Sequence, residues 1–477
     1  MPNRRAQRAD PLVEALAERL PQMRRNDPPA KRLVKGEAAT GGPAAGRSSV
    51  DVALRKGPLG VLHLLGPGLI TGASDDDPSG IGTYSQVGSQ LGYALLWTAL
   101  FTFPLMASVQ ELCGRIALQT GVGLGKTLRQ KFPTPLVGAV ISALLVANTI
   151  NLGADLGAIA AGASLLSGNH VPALAFLFPV AALLLGLQLF AAYSLIFRLF
   201  KYLTLVLFAY VITVVLAHPQ ASVVLVNTFV PHIQLTATFI SSLVAVLGTT
   251  ISPYLFFWQA SSEVDEMKSA GLRTIKERRH TTAAEVRAAR LDIVIGMAFS
   301  QLIMYCIIAA SAAVLHAHGA TNISTASQAA QALQPVAGRF AFVLFSVGLI
   351  GTGLLAVPIL SGSAAYAIKE FFGLPGSLAV KPRYRPTFYS VIVVATLVGV
   401  LLNLIGVNPI SALFITAVIN GVVAPPLLAL IVLLGSDRAV MSDRRSGRLS
   451  RTLTWITAAI MAAAALALLF SPLLPGS

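Results

Sequence analysis

Three consecutive carboxylates, Asp75, Asp76 and Asp77, run straight into Pro78-Ser79-Gly80 inside an otherwise apolar stretch from Val61 to Trp97. A charged group at membrane depth costs roughly 2.5 to 3.5 kcal/mol on insertion scales, so acids there line an ion pathway or a watery cavity. Pro78 has no N–H to donate and Gly80 favours no helix. The span is therefore predicted to break at this point, turning freed carbonyls toward whatever the carboxylates hold. Asp76 and Asp75 precede Asp77 by one and two positions, so the three cannot all point the same way.

A second constellation lies five spans further on. Gly248-Thr249-Thr250-Ile251-Ser252-Pro253-Tyr254 puts a glycine, hydroxyls and a proline into the sixth apolar run. Alone, a Ser-Pro pair is a kink relieved by neighbouring hydroxyls, and an acidic triplet is a helix end at the interface. Occurring at equivalent positions of two halves, they describe two broken helices that face each other around a substrate site. Two further acids fall inside spans. Glu111 sits four residues before Arg115, the spacing of an intrahelical ion pair, whereas Asp155, between Gly153 and Gly157, has no local cation and favours a water-lined role.

The elements that must position these residues are membrane spans. The chain has 477 residues, 55% hydrophobic and 12% charged, with mean hydropathy +0.72, far more apolar than a soluble protein with about 25% charged residues. Eleven apolar runs are predicted to cross: 61–86, 93–117, 136–166, 171–190, 195–216, 235–259, 293–315, 340–368, 390–405, 410–434 and 453–474. With the amino terminus inside, every Lys and Arg except Arg339 falls on the cytoplasmic side, as the positive-inside rule requires. The net charge of +15 thereby belongs to loops beside a negatively charged leaflet, not to a nucleic-acid surface. Residues 1–56 read as a disordered basic cytoplasmic tail. Cys113 and Cys306 lie in separate spans and form neither a disulfide framework nor a zinc site. The fold class is an all-α polytopic membrane protein: eleven transmembrane helices, a LeuT-like 5+5 inverted repeat with helices 1 and 6 broken. Its core covers 57–435 in two repeats, 57–217 and 235–435, with an additional helix at 453–474. A multi-pass protein of the cell membrane follows.

Gly66-Pro67-Gly68-Leu69-Ile70 leading to Asp77-Pro78-Ser79-Gly80, then Gly88-Ser89-Gln90-Leu91-Gly92-Tyr93, resembles the start of the Nramp family of divalent metal transporters. Gln110, Arg115 with Thr120-Gly121, Asp155-Leu156-Gly157 and the Ser-Pro-Tyr break extend the resemblance over about residues 60 to 435. It implies a metal bound between the two broken helices as transported substrate, with no cofactor. The implied ligands are Asp77, the carbonyls of Ser74 and Thr249, and Ser252, with Asp76 nearby. Asp75, Asp155, Tyr254, Asn420 and Glu111 are implied as pathway or proton-linked positions.

This chain departs from the family pattern in ways that bear on chemistry. Asp-Pro-Gly-Asn becomes Asp77-Pro78-Ser79-Gly80, which loses the asparagine ligand, and Met-Pro-His becomes Ser252-Pro253-Tyr254, which loses a thioether and a histidine. Oxygen in place of sulfur shifts the site toward hard cations such as Mg²⁺ and Mn²⁺, a pattern similar to the Nramp-related magnesium transporters. Span nine has no arginine within 389–405. With these titrating and charged groups absent, uptake driven by the membrane potential stands beside proton symport. The alternative cargo is an organic substrate such as an amino acid, against which three aspartates at the first break would repel a substrate carboxylate. An intramembrane aspartyl protease is disfavoured, since Asp77 is followed by proline. The sequence leaves the oligomeric state open.

Overall fold

The computed structural model describes residues 66–190 and 207–470, apart from 273, 280, 324, 335–337, 379, 407 and 443–444. The basic tail assigned to 1–56 and most of the fifth span lie outside the described residues. The longer helices are, in order, α1 (Pro67–Asp75), α2 (Pro78–Leu91), α3 (Trp97–Thr120), α4 (Leu124–Lys131), α5 (Thr134–Leu166), α6 (Ala173–Phe190), α7 (Phe208–Leu216), α8 (Ala221–Phe229), α9 (Ala237–Thr250), α10 (Pro253–Ser269), α11 (Ala283–Val314), α12 (Ala341–Phe372), α13 (Pro386–Leu404), α14 (Pro409–Ser436) and α15 (Arg448–Phe470). No strand occurs among the described residues.

Among the described residues, eight helices are long and apolar enough to cross a membrane, with α9 and α10 taken together as one. The other three spans read from the sequence fall short of that measure for visible reasons. The first is divided into α1 and α2, the second (α3) carries Gln110, Glu111 and Arg115, and only 207–216 of the fifth is described.

Both breaks fall at the anticipated residues, and local chemistry explains each. Pro78 and Pro253 occupy the first turn of α2 and α10, where a missing N–H costs nothing. Asp77 caps α2 by accepting the N–H of Gly80 at 2.7 Å. Thr236 caps α9 and Asn408 caps α14 in the same way. Thr282 and Glu285 form a reciprocal capping box at the start of α11.

The broken spans pack on symmetry-equivalent partners. α1 and α2 lie against α11 of the seventh span, whereas α10 of the sixth lies against α3 of the second. The first contact depends on glycine: a Cβ at Gly72 would fall 2.1 Å from the carbonyl oxygen of Gly296, and one at Gly68 2.5 Å from the nitrogen of Ile293. The first turn of α1 is held by Asp292 of α11, which accepts the N–H groups of Gly68 at 2.6 Å, Gly66 at 2.9 Å and Leu69 at 3.2 Å. On the other half-span, Gly248 of α9 meets Ala417 and Gly421 of α14 equally closely.

The loops sort onto two ends. Arg278 donates to the Gly121 carbonyl at 2.8 Å, Gly125 N–H donates to Glu370 at 2.9 Å, and Lys131 pairs with Asp437. The loops after the second, sixth, eighth and tenth spans, which carry the basic residues, therefore share one end. The opposite end joins the loops after the first and seventh spans, where Ile323 N–H donates to Gln86 Oε1 at 2.9 Å. α15 packs against α3, α9 and α14.

The glycine contact is testable. Gly72→Ala forces the α1–α11 seam apart and is expected to cost about 1–3 kcal/mol, lowering the unfolding temperature in detergent. Gly186→Ala in α6, where a Cβ meets nothing within 4 Å, is expected to leave it nearly unchanged. Equal unfolding temperatures would show that the seam is not tight.

Candidate functional site

The three aspartates occupy three different backbone positions, which separates their directions. Asp75 is the last residue of α1, Asp76 follows as its C-cap, and Asp77 is the N-cap of α2. All three are buried. Asp75 Oδ2 accepts the Ser300 hydroxyl of α11 at 2.6 Å. Asp77 faces elsewhere: its Oδ2 accepts from Asn151 Nδ2 of α5 at 3.2 Å and lies 3.2 Å from the hydroxyl of Tyr254 in α10. Neither carboxyl oxygen of Asp76 has a hydrogen-bond partner, nor has Asp75 Oδ1.

The two breaks meet through side chains. Tyr254 donates to the Ser74 carbonyl at 3.0 Å as well as approaching Asp77, so one hydroxyl spans both broken helices. The hydroxyls of Ser79 and Thr249 lie 3.3 Å apart across the same junction. Ser252 donates back to the carbonyls of Thr249 at 2.7 Å and Gly248 at 2.9 Å. A carbonyl oxygen has two lone pairs, so Ser74 and Thr249 keep acceptor capacity after these bonds. Thr250 turns away toward α2 and α11, its hydroxyl 3.2 Å from that of Tyr84 and donating to Met304 Sδ at 3.6 Å.

A polar stripe on α5 forms another wall. Asn148, Asn151 and Asp155 are spaced so that one face of the helix carries all three, and all are buried. Asp155 lies within electrostatic range of Asp77 and close to the backbone of Ser79, yet neither of its oxygens is hydrogen-bonded. The side-chain amides of Asn148, of Asn420 in α14 and of Gln110 in α3 are likewise buried without partners.

Glu111 is placed differently. It pairs with Arg115, whose Nε donates at 2.8 Å, and its other oxygen accepts from Ser450 of α15 at 3.0 Å. No hydrogen bond links it to the residues of the breaks among the described residues. The structure thus brings together Asp77, Ser74, Thr249, Ser252 and Tyr254. It sets Asp75 toward α11, leaves Asp76 without a hydrogen-bond partner and holds Glu111 against Arg115 and α15.

Asn151 and Ser300 are contacts of these aspartates that the sequence reading did not single out. Asn151 had a signal, an amide one helical turn before Asp155 in a strongly apolar helix. Ser300 had none, since a lone serine in a span is ordinary.

Among the described residues, no Lys or Arg pairs with Asp75, Asp76, Asp77 or Asp155. Nor do three His, Cys, Asp or Glu side chains converge closely enough to hold a metal by themselves. A cation at this junction would rest on one carboxylate completed by carbonyl and hydroxyl oxygens, a donor set suited to hard divalent ions.

Comparison with known proteins bears on the family and the fold. The chain is similar to the divalent metal cation transporter MntH of Deinococcus radiodurans, 28% identical over 444 residues that cover 92% of this chain and 95% of that one. Its fold matches the crystal structure of the manganese transporter of Eremococcus coleocola, with TM-score 0.64, 17% identity and 87% of each chain covered. It matches that of MHP1, a nucleobase-cation-symport-1 family transporter, with TM-score 0.55, 17% identity and 85% and 91% coverage. The family model for Nramp, natural resistance-associated macrophage protein-like, matches residues 68–471, a range that holds both breaks and every polar wall around them, and the chain belongs to this family.

Proposed function

We infer that this protein is a membrane transporter of divalent metal cations, not an enzyme. The observation that carries the inference is the concentration of buried carboxyls without a cationic partner where two broken helices meet. A buried charge with no counter-charge costs several kcal/mol, and a transported dication removes that penalty.

Asp77 is proposed as the central ligand, with the carbonyls of Ser74 and Thr249 and the hydroxyl of Ser252 completing one side. Asp76 is proposed to add negative charge beside them. Tyr254 positions Asp77 and Ser74 with a single hydroxyl. Asp75, Asp155 and Asn420 are proposed to line the pathway, and Glu111 to anchor α3 to α15. Because these donors are oxygens, the preferred cargo is Mg²⁺ or Mn²⁺ rather than a softer metal. The unpartnered amides of Asn148 and Asn420 support an ion that retains part of its water.

Transport is proposed to proceed by alternating access, with the breaks as the fixed site between the two five-helix repeats and α15 as an addition. The basic loops and the amino-terminal tail are assigned to the cytoplasmic side of the cell membrane. An anionic organic substrate is disfavoured by the same carboxyls.

Uptake into proteoliposomes under a set membrane potential, comparing Mg²⁺, Mn²⁺, Ca²⁺ and Zn²⁺, tests the assignment. Asp77→Ala is expected to abolish uptake of all four; undiminished uptake would remove the site from the breaks. Ser252→Met is expected to raise transition-metal affinity relative to Mg²⁺, and unchanged selectivity would defeat the argument from donor hardness. Tyr254→Phe is expected to reduce uptake by about tenfold, the size of one charge-assisted hydrogen bond. An internal pH that stays constant during uptake is expected for potential-driven transport, whereas acidification in step with the metal would establish symport.

A further inference from the structure

A cavity of about 470 Å³ opens at the end of the bundle that carries the basic loops, and none of its lining residues belongs to the breaks. Five cationic side chains line it: Lys126 of α4, Lys268 at the end of α10, Arg278 in the loop that follows, Lys369 near the end of α12, and Arg385 just before α13. Asp265 and Glu370 share the wall, so five cations against two carboxylates leave a formal excess of three positive charges.

Both carboxylates are already engaged. Glu370 accepts from the Ser261 hydroxyl at 2.8 Å and from Gly125 N–H at 2.9 Å. Asp265 accepts from Lys268 at 2.7 Å and from the hydroxyls of Tyr366 and Ser377, each at 2.6 Å. Of the cations, Lys268 is paired with Asp265 and Arg278 donates to the carbonyls of Gly121 at 2.8 Å and Leu272 at 3.1 Å; the other three are less committed. Lys126 has no hydrogen bond or ion pair among the described residues. Among the described residues the Arg385 guanidinium makes one hydrogen bond, to the neighbouring Tyr384 carbonyl at 3.1 Å. Lys369 donates to the Gly376 carbonyl at 2.6 Å and lies 4.5 Å over the Tyr366 ring, with two further N–H groups on its ammonium.

The charge here is opposite to that beside α1. Glu263 and Glu266 lie near Asp292 on the other face of α10, at the first turn of α1. A cation leaving the breaks along α1 meets acids, whereas the cavity toward α12 repels it. Its surplus of partly free ammonium and guanidinium groups matches phosphate oxygens, which these groups bind through charge-assisted hydrogen bonds. Its volume falls within the range of ordinary small-ligand pockets.

We propose that this cavity binds a phosphate-bearing anion, with Lys126, Lys369 and Arg385 taking its oxygens. Two sources share that chemistry: a soluble phosphate compound, and the headgroup of an anionic lipid at the membrane surface. The bound groups come from three separate segments, so occupancy restrains their movement relative to one another.

The test uses the full purified chain and reads binding, which makes it independent of metal uptake. Calorimetry with inorganic pyrophosphate, in the absence of divalent metal, is run on the wild type and on a double variant carrying Lys126→Gln and Arg385→Gln. Neither residue is tied into the core, and equal unfolding temperatures without ligand verify that the variant folds. Pyrophosphate is expected to bind the wild type, raise its unfolding temperature and bind the variant at least tenfold more weakly. In a parallel arm, nanodiscs of phosphatidylcholine with and without phosphatidic acid are compared by native mass spectrometry. Retention of phosphatidic acid by the wild type alone, without pyrophosphate binding, supports the site and assigns its source to the membrane. Binding of neither probe, or equal binding of a probe by wild type and variant, overturns the proposal.

Discussion

A helix interrupted inside an apolar bundle leaves backbone groups that water cannot reach, and each costs about 1–3 kcal/mol if unpaired. The junction answers this constraint with local caps and one bond across it. Asp77 satisfies the start of α2, Ser252 takes up carbonyls at the end of α9, and Tyr254 of the sixth span reaches the Ser74 carbonyl of the first. The first break is thus completed in part by the sixth span, through the Tyr254 hydroxyl. What the protein does not neutralise from within is negative charge, and that remainder is what a metal cation can complement.

The spread of the acidic triplet is a direct result of where the helix stops. A continuous helix would place successive side chains about 100° apart around one axis. Here the axis itself changes between Asp75 and Asp77, so one carboxylate reaches Ser300 and another reaches Asn151 and Tyr254. The negative charge is distributed around the junction instead of being stacked on one side of it. The hydroxyl-rich sixth-span break places neutral oxygens opposite.

Much of this was legible from residue order. The prolines located both breaks, because a missing N–H has few acceptable positions in a helix. The charge of the loops separated the two ends, and contacts such as Arg278 with Gly121 place those loops together. Less legible was which way each helix turns its polar residues. Asn151 and Ser300 became partners of the aspartates through the rotation of α5 and α11, which is set by close packing at Gly153, Gly157 and Gly296. Carbonyls such as that of Ser74 carry no side-chain signature at all. The basic cavity was hidden for another reason: its cations come from segments as far apart as Lys126 and Arg385.

The grip of Asp292 on the first turn of α1 bears on how this half-helix can move. Three amide donors converge on one carboxylate there, and the positive end of the helix dipole adds to the attraction. Tilting α1 away from α11 would uncover all of these groups at once. Without water in the seam, the three amides and the carboxylate would be left unpaired. The α1–α11 contact is thus held by polar groups as well as by close glycine packing, and it separates only at the cost of both.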